Sequence, residues 1–357
     1  MKILFLFPYP LEQASSQRFR FEQYFAALLK EGHSIDSQSF WGEYYWKVLY
    51  KKGNTVQKAW GLLNGFGRRF KVLGQVPSAD FVFIHRELTP LGPPIFEWLI
   101  AKVFSKKVIF DFDDAIWLPN TSESNKIAAW LKWHSKTESV CRWAWKVSVG
   151  NSYLANYAKQ FNDNLVINPT TIDTEHHHRI NKKTQPNNDL IVIGWTGSHS
   201  TLPYLDMLWP VLEQLAKDEK FSFRVISNQP PPVNYPWLEF IAWNKETEID
   251  DLAAIDIGVM PLTDDKWSKG KCGFKALQYM ALEISTVASP VGVNTDIIKD
   301  GINGLMATNT EEWVFALKKL IKSTALRTQL SEEGRRTVEN TYSVKANTKN
   351  FLELFGK

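Results

Sequence analysis

The chain has 357 residues, enough for two domains with full cores, and its 44% hydrophobic and 22% charged residues are ordinary for a globular protein. Its two cysteines, Cys141 and Cys272, give no disulfide framework and no metal-ligand spacing, which points to a reducing compartment, and no apolar run approaches the roughly 20 residues needed to span a bilayer. The formal net charge of +4 is uneven: residues 1–185 carry 24 Lys/Arg against 16 Asp/Glu, and residues 186–357 carry 18 against 22. A basic first half and an acidic second half read as two bodies with different partners.

The opening "MKILFLFPYPLEQ" begins like a signal peptide, but it lacks a small-residue cleavage site and turns polar at once, so it reads as a first strand. A turn with Pro8 and Pro10 follows, then a helix from about Arg18 to Lys30 that Gly32 ends, and a second strand in "HSIDSQSF". The stretch Ser39–Leu73 sets Lys47, Lys51, Lys52, Lys58, Arg68, Arg69 and Lys71 against Glu43 alone, interleaved with Trp41, Tyr44, Tyr45, Trp46, Tyr50, Trp60, Phe66 and Phe70. That composition suits an anionic membrane surface, single-stranded nucleic acid, or a helical excursion packed on the first domain. Further short apolar runs, "DFVFI", "KVIFDF", "KVSVG" and "NLVIN", continue the alternation, with helical pattern near Pro94–Phe104. Strands alternating with helices predict βαβ units and a parallel sheet.

Residues 171–188 are polar and without periodicity, and read as a domain linker. His176, His177 and His178 lie in it; adjacent histidines share no face of a regular element, so a solvated segment competes with metal binding there. The alternation then restarts: strands in "LIVIGW", "FRVIS", "EFIAW", "DIGVMPL", "TVASP" and "NGLMA", and helices at Leu202–Lys217, in "EIDDLAAI", from Phe274, in "NTDIIKDG", at Glu311–Lys322 and at Leu326–Tyr342. The expected architecture is therefore α/β, with one Rossmann-like βα domain over 1–170, carrying the basic aromatic insertion 39–73, and another over 189–342. Ligands of parallel α/β sheets bind beyond the carboxyl ends of the strands.

The segment "KGKCGFKALQYMALE" places Lys269, Lys271 and Lys275 at the start of an apolar helix. A helix N-terminus already carries partial positive charge, so cations there make sense around an anion; a solvated lysine patch is the plain alternative. "GWTGSHS", with Gly197 and Ser198, is a Gly-containing turn after a strand, and so is "SPVGVN", with Gly292 and Val293. Asn228 follows "FRVIS", and Trp243 follows "EFIA"; Trp243 could pack near a nucleotide base or in the core. In the first half, "SSQRFR" with Ser16, Arg18 and Arg20, and "HRELTP" with His85, Arg86 and Glu87, follow strands and are candidate acceptor contacts. No G-x-G-x-x-G follows either domain's first strand, which argues against a dehydrogenase.

From Gly194 to Lys322, and above all in "GKCGFKALQYMAL" and "STVASPVGVNTDIIKDGINGLMA", the sequence resembles the donor domain of the retaining family-4 glycosyltransferases, which have the GT-B fold of two Rossmann-like domains facing each other across a cleft. The resemblance extends more loosely to the first half through "SSQRFRFEQYFAALLKEGH" and "VIFDFDDAIW". It implies transfer of a sugar from a nucleotide-diphosphate donor to a glycan or lipid-linked acceptor, in bacterial surface polysaccharide or glycolipid synthesis, without a metal. The cysteine usage fits a cytoplasmic protein, and for residues 39–73 the enzyme reading favours a membrane surface, on the inner face, over packing or nucleic acid, with no nucleic acid partner expected; the resemblance implies a final helix over 343–357 crossing back to the first domain. Lys271 and Lys275 match the basic residues that hold the donor diphosphate, and Gln278 stands at the ribose position. The family's Glu–x7–Glu pair falls on Gly270 and Gln278, so both carboxylates are missing, and Glu283 stands where Gly is common. Those departures leave open a nucleotide-sugar binder impaired in catalysis, or a GT-B nucleotide-sugar epimerase. "DFDDAIW" ends a strand where related enzymes carry a catalytic His; Asp113 or Asp114 could take that place, or could cap a turn.

Overall fold

The structure, a computed structural model, describes residues 1–49, 51, 53–119, 133–180 and 190–356. Tyr50 and Lys52 of the basic aromatic stretch, residues 181–188 of the expected linker and residue 189 lie outside the described residues. The chain forms two compact units: unit 1 is Met1–Thr170 with Gly270–Cys272 and Asn347–Lys357, and unit 2 is Thr171–Lys269 with Gly273–Ala346.

Unit 1 holds a parallel six-stranded sheet built from β1 (Lys2–Phe7), β2 (Ser34–Ser39), β3 (Phe81–His85), β4 (Lys107–Phe112), β5 (Lys146–Val149) and β6 (Leu165–Ile167), in the order β2-β1-β3-β4-β5-β6. Central strands of a parallel sheet are covered on both faces, so they read as unbroken apolar runs. "KILFLF" and "FVFIH" are buried almost throughout, whereas edge strand β2, "SIDSQS", is mostly polar and half exposed. The expected helix from Arg18 to Lys30 is instead a short helix Ser15–Arg18, a 3-10 turn Glu22–Tyr24 and a helix Phe25–Lys30. Phe19, Arg20 and Phe21 are all buried. Three successive buried side chains point in three directions around a helix, so a helix with one solvated face cannot bury them, and the chain breaks there.

Unit 2 repeats the plan with β7 (Ile191–Gly197), β8 (Phe221–Ser227), β9 (Leu238–Ala242), β10 (Ile257–Met260), β11 (Ser285–Ala288) and β12 (Leu305–Met306), in the order β12-β11-β10-β7-β8-β9. Trp195, Val225, Val259 and Trp313 belong to its main core. The expected helix Leu202–Lys217 divides into a 3-10 stretch Leu202–Met207 and a helix Trp209–Leu215, each with proline in its first turn. Residues 171–180 are not an open linker. Ile172 and His178 are fully buried, Ile172 pairs with Ser343, and Arg335 donates to the Thr174 and His178 carbonyls at 3.1 and 2.9 Å.

The last helix, Val344–Leu352, brings Asn347 onward into unit 1. There Phe351 stacks on Tyr24 with ring centroids 4.3 Å apart, and Asn350 donates to the Ile167 carbonyl.

Candidate functional site

Both sheets have a switch point. In unit 1 the chain leaves β1 to one side for β2 and returns to the other for β3; in unit 2 it leaves β7 for β8 and returns for β10. The loops beyond the carboxyl ends of such strand pairs diverge and leave room for a ligand.

In unit 1 strand register assembles the cluster. His85 at the end of β3 pairs with Asp111 of β4, and Asp111 pairs with Ser148 of β5. The Asp111 carboxylate contacts His85 Nδ1 at 2.8 Å, accepts from Ser148 Oγ at 2.7 Å and forms an ion pair with Arg20, all fully buried. Burial alone would raise the Asp111 pKa, but the Arg20 charge and the hydrogen bonds from His85 and Arg20 outweigh it and hold the carboxyl far below its usual range. Arg20 also donates to the Asn168 carbonyl. Expected at an acceptor, Arg20 lies instead inside the unit as the counter-ion of Asp111, at 1% exposure.

The chain turns sharply after His85, with Arg86 at φ 58°, a left-handed conformation that costs a residue with a Cβ about 1 kcal/mol or more. The turn sends the Arg86 guanidinium to Asp113 Oδ1 at 2.7 Å and Asp114 Oδ2 at 2.6 Å. Lys271 Nζ reaches the other Asp114 oxygen at 3.0 Å. Burial opposes ionisation of Asp114, yet Lys271 and Arg86 together hold its pKa below the ordinary value. Three carboxylates, Asp111, Asp113 and Asp114, thus meet three cations, Arg20, Arg86 and Lys271. The side chains of Arg86 and Lys271 remain about one-fifth exposed. They can present N–H groups to an anionic or hydroxyl-rich ligand. His85 Nε2 is buried with no hydrogen-bond partner among the described residues, 3.9 Å from Asp113 Oδ1.

Two neighbours of this cluster escaped the sequence reading. Asn151 Nδ2 donates to the Gly270 and Lys271 carbonyls at 3.2 and 2.9 Å, while its Oδ1 accepts from Leu154 N and caps the helix Ser152–Ala158. "GNS" directly after a strand is an N-cap signature and was the available signal. Cys272 Sγ lies 3.1 Å from the Asp113 carbonyl. Burial, with Asp113 adding to it, pushes its thiol up to about 12, so it stays protonated at neutral pH.

The other first-half residues have distinct surroundings. Ser16 is half-buried in the helix Ser15–Arg18, and Arg18 lies over the Phe19 ring at 5.0 Å. Between them Gln17 is buried and donates to the Tyr9 carbonyl at 2.9 Å and to Glu22 at 3.1 Å. Glu87 pairs with Lys136 at 2.6 Å.

In unit 2 the β7 end carries Gly197, where a Cβ would fall 2.4 Å from the Trp195 ring and 2.6 Å from Thr201 Oγ1. Ser198 N donates to Thr201 Oγ1 at 3.1 Å, and Asn228 beyond β8 accepts from His199 N at 2.7 Å, fixing the turn. Beyond β11, Gly292 has φ 56° and lies so close to the Lys269 carbonyl that a Cβ would sit 2.9 Å from it; Val293 follows as the N-cap of Asn294–Ile297. Gly273, at φ 69°, caps the helix Phe274–Ala281 with no side-chain cap bond, and Lys275 in its first turn lies 5.5 Å from the Trp195 ring centroid. The three lysines therefore divide: Lys269 pairs with Asp264, Lys271 belongs to unit 1 and meets Asp114, and Lys275 stays with the unit 2 turns. Gln278 does not line the surface; it is 1% exposed, with Nε2 3.4 Å from His178 Nε2. Trp243 is half-buried and packs against a hydrophobic cluster that includes Ile226, Leu252 and Tyr279. Among the described residues, no group of three or more His, Cys, Asp or Glu side chains could hold a metal ion, and His178 faces Gln278 instead.

Residues 191–323 match the model of the family described as Glycosyl transferases group 1. No curated protein matches the sequence. In structure the chain is similar to sucrose-phosphate synthase from Thermosynechococcus elongatus, with a TM-score of 0.72, 12% identity, and 99% of this chain and 98% of that chain covered. It is similar to HepE of Anabaena in complex with UDP, with a TM-score of 0.68, 13% identity and 99% of each chain covered. It is also similar to a glycosyltransferase from Rickettsia africae, with a TM-score of 0.68, 15% identity, and 99% and 97% covered. The two parallel six-stranded sheets are thus those of the GT-B fold, and a group 1 glycosyl transferase domain occupies most of unit 2 and marks the chain as a transferase.

Proposed function

We propose that the chain moves a sugar, with retention of configuration and without a metal, from a nucleotide-diphosphate donor held by unit 2 to a glycan or lipid-linked acceptor. The observation that carries this reading is the overlap of the family match with the unit 2 switch point. Residues 191–323 include the Gly197–Ser198 turn, the Gly273 helix start with Lys275, and the Gly292–Val293 turn, all at carboxyl ends of strands. HepE was solved with UDP and with UDP-glucose, and a starch synthase IV catalytic domain with ADP and acarbose, which supports a nucleoside-diphosphate donor here.

Breaking the bond between the anomeric carbon and the diphosphate oxygen leaves negative charge on that oxygen. A helix N-terminus, a lysine in its first turn and backbone N–H groups of a glycine turn stabilise that charge, by about 3 kcal/mol for each well-placed donor. In this proposal Lys275 supplies the fixed cation at the phosphates, Asn228 and Ser198 hold the turn beside them, and Arg86, Asp113 and Asp114 in unit 1 meet acceptor hydroxyls. Lys271 joins them through Asp114.

Screening nucleotide sugars by thermal shift identifies the donor, since a ligand at about 100 times its dissociation constant adds ~2.7 kcal/mol. With that donor, Lys275→Ala should lower the transfer rate about 100-fold, and Lys275→Arg should restore part of it. Unchanged turnover and unchanged nucleotide affinity in Lys275→Ala would overturn the assignment. A second reading, donor binding without transfer, draws on Gly270 and the buried Gln278 standing where the resemblance places carboxylates. Calorimetric binding with neither transfer nor donor hydrolysis would favour it.

A further inference from the structure

The helix Thr55–Leu73 is built inside out. Its buried positions are Gly61, Gly65, Arg69 and Val72. A Cβ at Gly65 would lie 2.4 Å from the Phe40 ring, and one at Gly61 would lie 2.8 Å from the Tyr45 ring, so the backbone itself packs on these aromatics. Arg69, fully buried, donates to the carbonyls of Leu88, Gln38 and Phe7. Leu62, Phe66 and Leu73 are half-buried, Phe66 beside the Phe40 and Phe96 rings, while four other large apolar residues sit on the opposite face. Val56, Trp60, Leu63 and Phe70 are 61–67% exposed. At 3.6 residues per turn these four positions fall in one stripe about 80° wide, directly across from the glycines.

Amphipathic helices of globular proteins turn their apolar stripe inward, so an outward stripe calls for a partner. Lys71 is exposed on this helix, and Lys47 and Lys51 are exposed in the segment leading into it. Over Ser39–Leu73 the single acidic residue is Glu43. Two copies of such a face would repel each other. An apolar stripe with basic flanks matches the boundary of an anionic bilayer, where rings and branched chains enter the acyl region and ammonium groups meet headgroup phosphates. No helix among the described residues is long and apolar enough to cross a membrane, so the contact would be peripheral.

We propose that the outward face of Thr55–Leu73, with the adjoining lysines, docks the protein on an anionic lipid surface. This does not depend on the transfer reaction, because the contact is read by binding alone.

Vesicle flotation of the full chain tests it, comparing phosphatidylcholine with and without about 30 mol% phosphatidylserine. The protein should float with the anionic vesicles and stay behind with the neutral ones, and roughly 0.5 M salt should reduce its recovery. Val56→Ser/Trp60→Ser/Leu63→Ser and, separately, Lys47→Glu/Lys71→Glu should each lower partitioning at least about tenfold. All these positions are exposed, so unfolding midpoints should not move. Equal flotation with neutral vesicles, flotation that survives both variants, or no flotation at all would overturn the proposal. So would loss of a dimer, or of binding to a single-stranded oligonucleotide, in the serine variant while vesicles never bind.

Discussion

Asp111 is where the chemistry of unit 1 is most concentrated. Its carboxylate is fully buried against Arg20, His85 and Ser148, and its pKa is depressed. A carboxyl whose folded pKa lies below its unfolded value of about 3.9 binds fewer protons folded than unfolded, so its contribution is present above the unfolded pKa and lost as pH falls. Asp114, depressed by Lys271 and Arg86, acts in the same direction. Urea-unfolding free energies should therefore fall steeply below about pH 4. Asp111→Asn should cost about 3–5 kcal/mol at pH 7, because it leaves the Arg20 charge buried and uncompensated, and should flatten part of the acid limb. An acid limb as steep in Asp111→Asn as in the parent would show that these carboxylates do not set it.

Most elements, and few of their contacts, were legible in the sequence. Central strands announce themselves because burial on both faces demands runs such as "KILFLF" and "DIGVM". Chain breaks do not, because the helix expected through Arg18–Lys30 failed on the burial of Phe19, Arg20 and Phe21, which only tertiary packing decides. The same limit applied at the sites. Lys275 and the turns at Gly197 and Gly292 follow from local pattern, whereas the partnership of Lys271 with Asp114 joins residues 157 apart in the chain. Gln278 could not be read as buried, since its neighbour His178 belongs to a segment that looks like a polar linker. The helix Thr55–Leu73 combines both cases: its period was hidden because glycine marks its buried face. Two glycines separate these roles. Gly65→Ala should destabilise by about 1–3 kcal/mol, since its Cβ meets the Phe40 ring. Gly67→Ala, with nothing within 4 Å of its Cβ, should stabilise by about 0.5–1 kcal/mol through helix propensity alone. Thermal or urea unfolding of the two variants checks the pair; equal shifts would mean that the helix does not pack on Phe40 through this face.

At the scale of the whole molecule, the chain does not divide into a first half and a second half. Unit 1 borrows Gly270–Cys272 and Asn347–Lys357 from beyond unit 2's start, so it is completed only when the last residues are in place. The borrowed C-terminal segment is structural in its own right. Phe351, Leu354 and Phe355 are buried, Phe351 stacks on Tyr24, and Phe355 meets Phe81 at 5.8 Å between ring centroids. Burying three such side chains is worth roughly 1.5–3 kcal/mol each, a total comparable with the 5–15 kcal/mol that separates a folded domain from its unfolded chain. A chain ending at Ala346 should therefore lose the cooperative unfolding of unit 1 and expose its sheet to limited proteolysis. Unit 2 keeps its own core, including Trp195, Val259 and Trp313, and all three of its glycine turns. The truncated chain should thus still show nucleotide-induced protection of residues 191–323 in hydrogen exchange while sugar transfer disappears. Full transfer by the truncated chain, or loss of nucleotide protection together with unit 1, would show that the two units do not stand on separate cores.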